Sequence, residues 1–425
     1  MRVLWLCNIM LPVIAMHLGK EVNNKEGWLT GTYDRLKKTG FRIATGEKIE
    51  LGICFPVDNP MDEMQIMLPD VKVYGFYEDM QHPECYNGKL ENRFKQITKD
   101  FHPDIVHCFG TEYPHTLAMT RAFDNPEKII IGIQGLCYKC ADAYMAGLPE
   151  KVQKTKSFRD IIRKDSLLRQ QAKFAMRGEY EKEALKNVKH VTGRTHWDRE
   201  AVEEISSANY HFMNETLRSV FYDGAWDENM CVPHSIFMSQ GDYPLKGLHI
   251  MLEALVIILK QYPDTVVYIA GNDLTAYNSL KQKIKISGYG KYLRKLIKKN
   301  ALSEHVKFLG KLTAKEMKER YLKSHLYICA SSLENSPNSL GEAMLLGVPG
   351  LASYTGGIPS VFEKDKDGLM FEPLNVNELA EKVIYLFDHP KEMMGYALHA
   401  KEHAKKTHDP DKNYQRLLEI YQEIL

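Results

Sequence analysis

Two carboxylates in an E-x7-E spacing, Glu334 and Glu342, sit in the one stretch where anion-binding and hydroxyl-binding chemistry fall close together. That stretch, Ser331–Gly357, reads SSLENSPNSLGEAMLLGVPGLASYTGG. Its pattern is the end of a buried strand, a loop, a short helix, a second strand over Gly350–Ser353 and a glycine turn. Ser336 suits an N-cap, Pro337 the first helical position and Gly347 the residue just past the helix, while Pro349 bars continuation. The backbone N–H groups of Asn338 and Ser339 then have no partner within the helix, and a helix start favours an anion. Glu342 shares a helical face with Asn338 and Ser339. A carboxylate repels phosphate, yet its two oxygens accept hydrogen bonds from neighbouring sugar hydroxyls. Amides for a diphosphate beside acceptors for hydroxyls describe a sugar-nucleotide site. The plain alternative is two glutamates on a solvated helix face.

A second candidate lies upstream. Gly241–Leu245 is turn-rich, and Lys246-Gly247 opens an amphipathic helix running to about Tyr262. Lysine at a glycine-flanked helix start adds a compact charge to a favourable dipole end, a sensible diphosphate ligand. Arg194, at the carboxyl end of the strand His190–Arg194, is placed to meet a phosphate. Gly27 begins a helix after the first strand and a long loop, the order in which α/β sheets bring backbone close to a nucleotide. His107 falls near another strand end, where a functional role and a core role carry equal weight.

The elements that must position these residues alternate. Strand-like runs are Val3–Cys7, Ile49–Val57, Val71–Phe76, Asp104–Phe109, Lys128–Ile133 and His190–Arg194. They continue as Ser235–Ser239, Val266–Gly271, Val306–Leu309, Leu326–Ala330, Gly350–Ser353 and Gly368–Phe371. Helical patterns between short Val/Ile-rich runs predict parallel, doubly wound α/β sheets. Lys151–Lys186 is the longest helical region expected, rich in Lys and Arg with interspersed apolar residues. It reads either as a surface helix packed on the sheet or as a basic amphipathic segment resting on a membrane.

With these motifs in place the chain resembles the retaining, nucleotide-sugar-dependent glycosyltransferases of the GT-B fold that carry E-x7-E, the group that includes bacterial polysaccharide and phosphatidylinositol mannosyltransferases. The resemblance implies two Rossmann-like domains facing across a cleft. An acceptor-binding domain would span residues 1–230, a nucleotide-sugar domain 231–408, and a terminal helix, 409–425, would cross back to the first domain. It gives Glu334 the donor sugar and Glu342 the nucleotide ribose, and it makes Lys246, Gly356 and Gly357 diphosphate contacts. Gly310, Lys311 and Leu312 match the segment whose backbone reads the base, and Gly27 matches a glycine that approaches the donor or acceptor. Gln134 stands where the family commonly has histidine, and Gln240 where it has arginine. Gln134 can bond a hydroxyl but cannot take a proton, and Arg194 is a candidate to replace the missing cation. The family's activity requires no metal or other cofactor, and a UDP-sugar is favoured over a GDP-sugar as donor. The acceptor would be a saccharide or lipid-linked saccharide. The two glutamines keep a weakly active nucleotide-sugar-binding partner subunit open as an alternative, with a GT-B sugar-nucleotide epimerase as a further one.

Composition agrees with such an enzyme. The 425 residues suffice for two α/β cores. A net charge of +1 argues against a nucleic-acid partner. The eight cysteines are scattered, with Cys137 and Cys140 forming a lone C-x-x-C, which suits a reducing compartment over a zinc or redox motif. The apolar start is broken by Asn8 and Pro12 and reads as a strand rather than a leader. A cytoplasmic protein, with peripheral contact at the inner face of the membrane through 151–186, is the expectation.

Overall fold

The computed structural model describes residues 1–20, 27–42, 46 and 48–425. It divides into two compact units. The first comprises residues 1–141, 173–218 and 408–425, and the second 142–172 and 219–407. The second unit therefore takes in a segment, 142–172, that the sequence reading assigned to the first domain, and it begins at 219 rather than 231.

Among the described residues the first unit is built on eight strands: β1 (Arg2–Leu6), β2 (Glu50–Val57), β3 (Met64–Met67), β4 (Val71–Tyr77), β5 (Ile105–Phe109), β6 (Ile129–Gly132), β7 (His190–Gly193) and β8 (Asn209–Phe212). Their order is β3-β4-β2-β1-β5-β6-β7-β8. All neighbours pair in parallel except β3, which runs antiparallel to β4 at the edge. The central strands are buried along their length, so they read as continuous apolar runs, as a sheet covered on both faces demands. Two apolar clusters cover those faces. The last helix, Pro410–Ile424, completes one of them: the Trp5 indole N–H donates to Tyr421 Oη at 2.9 Å, and His107 Nδ1 lies 2.8 Å from the same oxygen. His107 is thus a buried core group.

The second unit holds β9 (Val232–Met238), β10 (Val266–Ile269), β11 (Val306–Phe308), β12 (Ser324–Cys329), β13 (Gly350–Ser353) and β14 (Gly368–Phe371). They form an all-parallel sheet ordered β11-β10-β9-β12-β13-β14. The helix Leu248–Ile258 is apolar nearly all round and is buried beneath the helix Val376–Asp388. β9 and β12 are central, and their carboxyl ends carry the two sequence motifs.

The expected long helix at Lys151–Lys186 is three helices, Glu150–Lys154, Phe158–Ile162 and Leu167–Lys186. Ser157 restarts the chain: its hydroxyl accepts from the Asp160 N–H while the Asp160 carboxylate accepts from the Ser157 N–H, a reciprocal cap that fixes a new helix start. Lys164 at φ +51° ends that short helix.

Buried histidines set the acid response. Burial pushes His107 down to about 3, and His249 and His325 down to about 4. Each is neutral when folded and takes a proton near pH 6.5 when unfolded, so the unfolded chain binds more protons across that window. Their contribution is full above about pH 6.5. It falls by up to about 1.4 kcal/mol per pH unit for each group as acid is added, until the folded values are reached. His403 runs the other way. Its hydrogen bond to Asp367 raises its pKa, so its contribution is present in acid and lost as pH rises. Burial likewise lowers His190 and His211, which act with the first three, and pushes Glu181 up to about 8, which acts with His403. The five lowered histidines outnumber the opposing pair, and the urea midpoint should drop between pH 7 and pH 5. An unchanged midpoint would contradict the burial of these rings.

Candidate functional site

Lys246 and Glu334 meet. Lys246 ends a single turn after β9, Glu334 lies in the loop after β12, and the Lys246 ammonium donates to Glu334 Oε1, which also accepts from Ser331 Oγ at 2.8 Å. Their side chains are 19% and 15% exposed, so the pair is sheltered but reachable. Burial alone would lower the lysine pKa; the Glu334 charge outweighs it and holds the ammonium well above the usual lysine value. The Tyr243 ring centroid stands 5.5 Å from the same nitrogen, adding its negative face.

Backbone contacts fix the pair. The Ser332 N–H donates to Leu245 O at 2.8 Å, tying the two loops together. Gly247 is left-handed at φ +69°, and a β-carbon there would stand 1.8 Å from Ala330 O. On the other side the turn after β13 grips the Glu334 loop. Ser353 Oγ donates to Ser331 O at 2.6 Å, Thr355 Oγ1 to Ser332 O at 3.0 Å and the Gly357 N–H to Glu334 O at 3.0 Å. Gly356, at φ +52°, leaves 2.0 Å between a would-be β-carbon and Glu334 O. Gly356 and Gly357 therefore hold the loop that presents Glu334, a packing role visible without any ligand.

The helix begins at Asn338, one residue later than the sequence suggests. Pro337 takes the cap position in an extended conformation and Ser336 lies outside it. Gly347 ends the helix at φ +75°, as expected of its position. Asn338 and Ser339 are its first two residues, so their N–H groups lie at its positive end. The Ser339 hydroxyl accepts from Tyr327 Oη of β12 at 2.9 Å and its carbonyl from Tyr321 Oη of the helix Ala314–Leu322 at 2.8 Å, which anchors that end to both. Glu342 is buried one turn further in. Gln240 is half-buried just beyond β9. Gly310, at φ +73°, accepts from the Gly271 N–H at 2.8 Å, bridging the ends of β10 and β11. Lys311 beside it is exposed and Leu312 half-buried.

In the first unit the structure gathers Gln134, Arg194 and Glu215. Arg194 forms an ion pair with Glu215 and donates to Gln134 Oε1 at 3.3 Å, while Gln134 Nε2 donates to Glu215 Oε1 at 2.6 Å. Arg194 and Glu215 are both buried. A guanidinium so enclosed has its charge answered by its own unit, which places it differently from the free phosphate ligand that the sequence suggested. Gly27 starts a helix, and the Arg218 side chain lies across it; a β-carbon would stand 2.0 Å from Arg218 Cγ.

Sequence reading passed over one further group at the carboxyl ends of β1, β4 and β5. Glu78 Oε2 and Asn8 Oδ1 bracket the buried His115 ring at 2.6 and 2.9 Å. Glu112 Oε1 accepts from the Gly135 N–H at 3.0 Å. Arg177 donates to Glu112 O at 2.6 Å, and its guanidinium lies 5.5 Å from the Tyr113 ring centroid. The signal was Gly110-Thr111-Glu112 directly after a buried strand, with Gly110 at φ +96° to let Glu112 fold back over it. Such a group can hold hydroxyls through Glu112, which is only partly covered.

Two parallel-sheet α/β units with ligand-type side chains at strand carboxyl ends define the GT-B fold. Solved structures agree over the whole chain. Sucrose-phosphate synthase from Thermosynechococcus elongatus superposes with a TM-score of 0.68 at 13% identity, covering 100% of this chain and 98% of that one. Anabaena Alr3699/HepE in complex with UDP and glucose gives 0.64 at 14% identity, covering all of both chains. Residues 233–406 match the family model "Glycosyl transferases group 1". Spore coat protein SA of Bacillus subtilis is 26% identical over 181 residues, 42% of this chain and 46% of that protein. The chain thus spans under half the length of the curated relatives it matches first.

Proposed function

We propose that this chain is a retaining, metal-independent glycosyltransferase that moves a sugar from a nucleoside diphosphate, UDP in preference to GDP, to a saccharide or lipid-linked saccharide acceptor. Its work would lie in cell-surface polysaccharide synthesis, at the cytoplasmic face of the membrane. The observation that carries this reading is the sheltered Lys246–Glu334 pair, clamped between the Gly247 and Gly356 turns.

In this reading the second unit holds the donor. Lys246 and the amides of Asn338 and Ser339 meet the diphosphate and take up the charge that develops as it leaves, the preorganised electrostatic help on which such catalysis rests. Glu334 accepts from a donor-sugar hydroxyl and Glu342 from the ribose, while the Gly310–Leu312 backbone reads the base. The bond from the anomeric carbon to the diphosphate oxygen breaks as the acceptor oxygen bonds to the same face of that carbon. The acceptor proton passes to the departing phosphate oxygen. Gln134, which cannot take a proton, is compatible with that route. The shared HepE fold, solved with UDP and glucose, adds support of a general kind.

A binding-only partner subunit is the second reading, motivated by Gln134 spending both ends of its amide on Arg194 and Glu215. One series separates the two. Thermal shifts with UDP, GDP and ADP should show the largest rise with UDP, since a ligand that binds only the folded state stabilises it. The matching UDP-sugars should then turn over, releasing UDP and giving product with the donor's anomeric configuration. A nucleotide shift without turnover favours the partner subunit, inverted product removes the retaining mechanism, and no shift with any nucleotide overturns the site.

A further inference from the structure

The second unit carries a surface that the Lys246–Glu334 pair and its loops do not use. The short helix Phe158–Ile162 exposes Phe158, Ile161 and Ile162 to 58%, 62% and 63%. The helix Leu280–Lys285 packs beside it and exposes Leu280 to 77% and Ile284 to 52%. Single exposed apolar side chains need no explanation, but five large ones on two adjoining helices mark an interaction surface.

The frame under them is fixed. Asp160 Oδ2 accepts from the Ser157 N–H and from the Gly288 N–H, each at 2.8 Å, so the first residue of the helix Gly288–Lys299 is tied to the helix that bears Phe158. Tyr277 joins the other two helices: Lys283 Nζ lies 5.4 Å and Arg294 Cζ 4.5 Å from its ring centroid.

Charge names the partner. From Leu274 to Ser303 the sequence has eight Lys and Arg residues and no Asp or Glu. Lys281, Lys283 and Lys285 are exposed around Leu280 and Ile284, and Arg163 and Lys164 are exposed directly after Ile162. Of the nearby acids, Asp160 and Asp165 both pair with Arg159, while Asp242 and Asp273 line the pocket behind Lys285; the exposed rim is carried by Lys281, Lys283, Lys285, Arg163 and Lys164. Lys291, Lys295, Lys298 and Lys299 extend it along a groove beside Tyr277.

We propose that this face docks on an anionic lipid bilayer. Phe158, Ile161, Ile162, Leu280 and Ile284 enter the boundary between headgroups and acyl chains, and the surrounding cations meet lipid phosphates. A soluble polyanion would match the cations and leave five apolar side chains in water. An apolar protein patch would cover those side chains and leave the cations unanswered. A bilayer satisfies both. The surface takes Phe158–Lys164 from the basic stretch 151–186 and adds the helix Leu280–Lys285, while the later part of that stretch is used elsewhere: Lys173 pairs with Glu84 and Arg177 serves the Glu112 carbonyl. It needs nothing from the proposed catalysis and is tested without it.

The full-length protein should sediment with vesicles of phosphatidylcholine containing about one part in three phosphatidylglycerol, and far less with phosphatidylcholine alone. High salt should weaken the binding. Two triple variants, Phe158→Ser/Ile161→Ser/Ile162→Ser and Lys281→Glu/Lys283→Glu/Lys285→Glu, should each reduce it about tenfold or more. Lys37→Glu/Lys38→Glu, which makes a comparable charge change in the first unit, should not. These side chains are exposed, so the variants should keep the native melting temperature. In case a triple variant fails to fold, hydrogen exchange on the native protein gives a second readout: vesicles should protect 158–164 and 280–285. Vesicle binding that ignores both triples, protection elsewhere, or capture by heparin with no vesicle binding would each overturn the proposal.

Discussion

Lys246→Ala lowers sugar transfer by about a hundredfold or more, the scale of removing one aligned electrostatic contact from a reacting centre. The loss should fall mainly on kcat, because charge on the departing diphosphate is greatest in the transition state. Stability gives the control. Removing the ammonium strands Glu334 at 15% exposure, and an unanswered, partly buried carboxylate destabilises the fold. Lys246→Ala/Glu334→Ala removes both charges and should melt closer to the native protein than Lys246→Ala does, while remaining as inactive. A structural salt bridge would behave differently: the double variant would recover stability and activity together. Lys246→Arg is not a conservative test, since a planar fork replaces a compact charge in a sheltered space beside Tyr243. Near-normal turnover by Lys246→Ala, with its melting temperature unchanged, would remove Lys246 from the site. The experiment needs only the donor identified by the nucleotide series.

The parts of this arrangement that could be read in advance are those whose signal is local. Around β12 and the helix from Asn338, burial writes an apolar run, and proline and glycine punctuate it within a few residues. The start of that helix still moved by one position, because the ring of Pro337 allows either the cap or the first turn and its extended ψ of 108° settles on the cap. Lys246-Gly247 was legible for the same reason. What could not be read depends on partners distant along the chain. Arg194 looks like a free cation at a strand end, and only the fold brings Glu215 and Gln134 to it. The bracket around His115 draws on residues 8 and 78. The edge strand β3 was missed because its four residues, MQIM, alternate only weakly between partly covered and exposed positions. Residues 142–172 join the second unit without a linker-like composition shift, and a capping box divides what the charge pattern makes look like one helix.

Gly247→Ala should be the most damaging conservative change in the second unit, and its comparison with Gly310→Ala isolates the cause. Both glycines are left-handed, at φ +69° and +73°, so both substitutions bear the conformational cost of a side chain in that region, about 1–2 kcal/mol. Among the described residues nothing lies within 4 Å of a β-carbon at Gly310, whereas at Gly247 it would sit 1.8 Å from a backbone carbonyl oxygen at the end of β12. No rotamer relieves a clash with backbone, so the loop bearing Lys246 must move away from the loop bearing Glu334, breaking the Ser332 N–H bond to Leu245 O. The added cost should bring the total above about 3 kcal/mol, a fall of roughly 6–12 °C for a unit of this size, against a few degrees for Gly310→Ala. Gly356→Ala meets the Glu334 carbonyl at 2.0 Å and should resemble Gly247→Ala. Nucleotide-induced stabilisation should vanish in the two crowded variants. Equal melting losses at Gly247 and Gly310 would mean that φ alone matters and that the close approach of the two motif loops does not hold the site together.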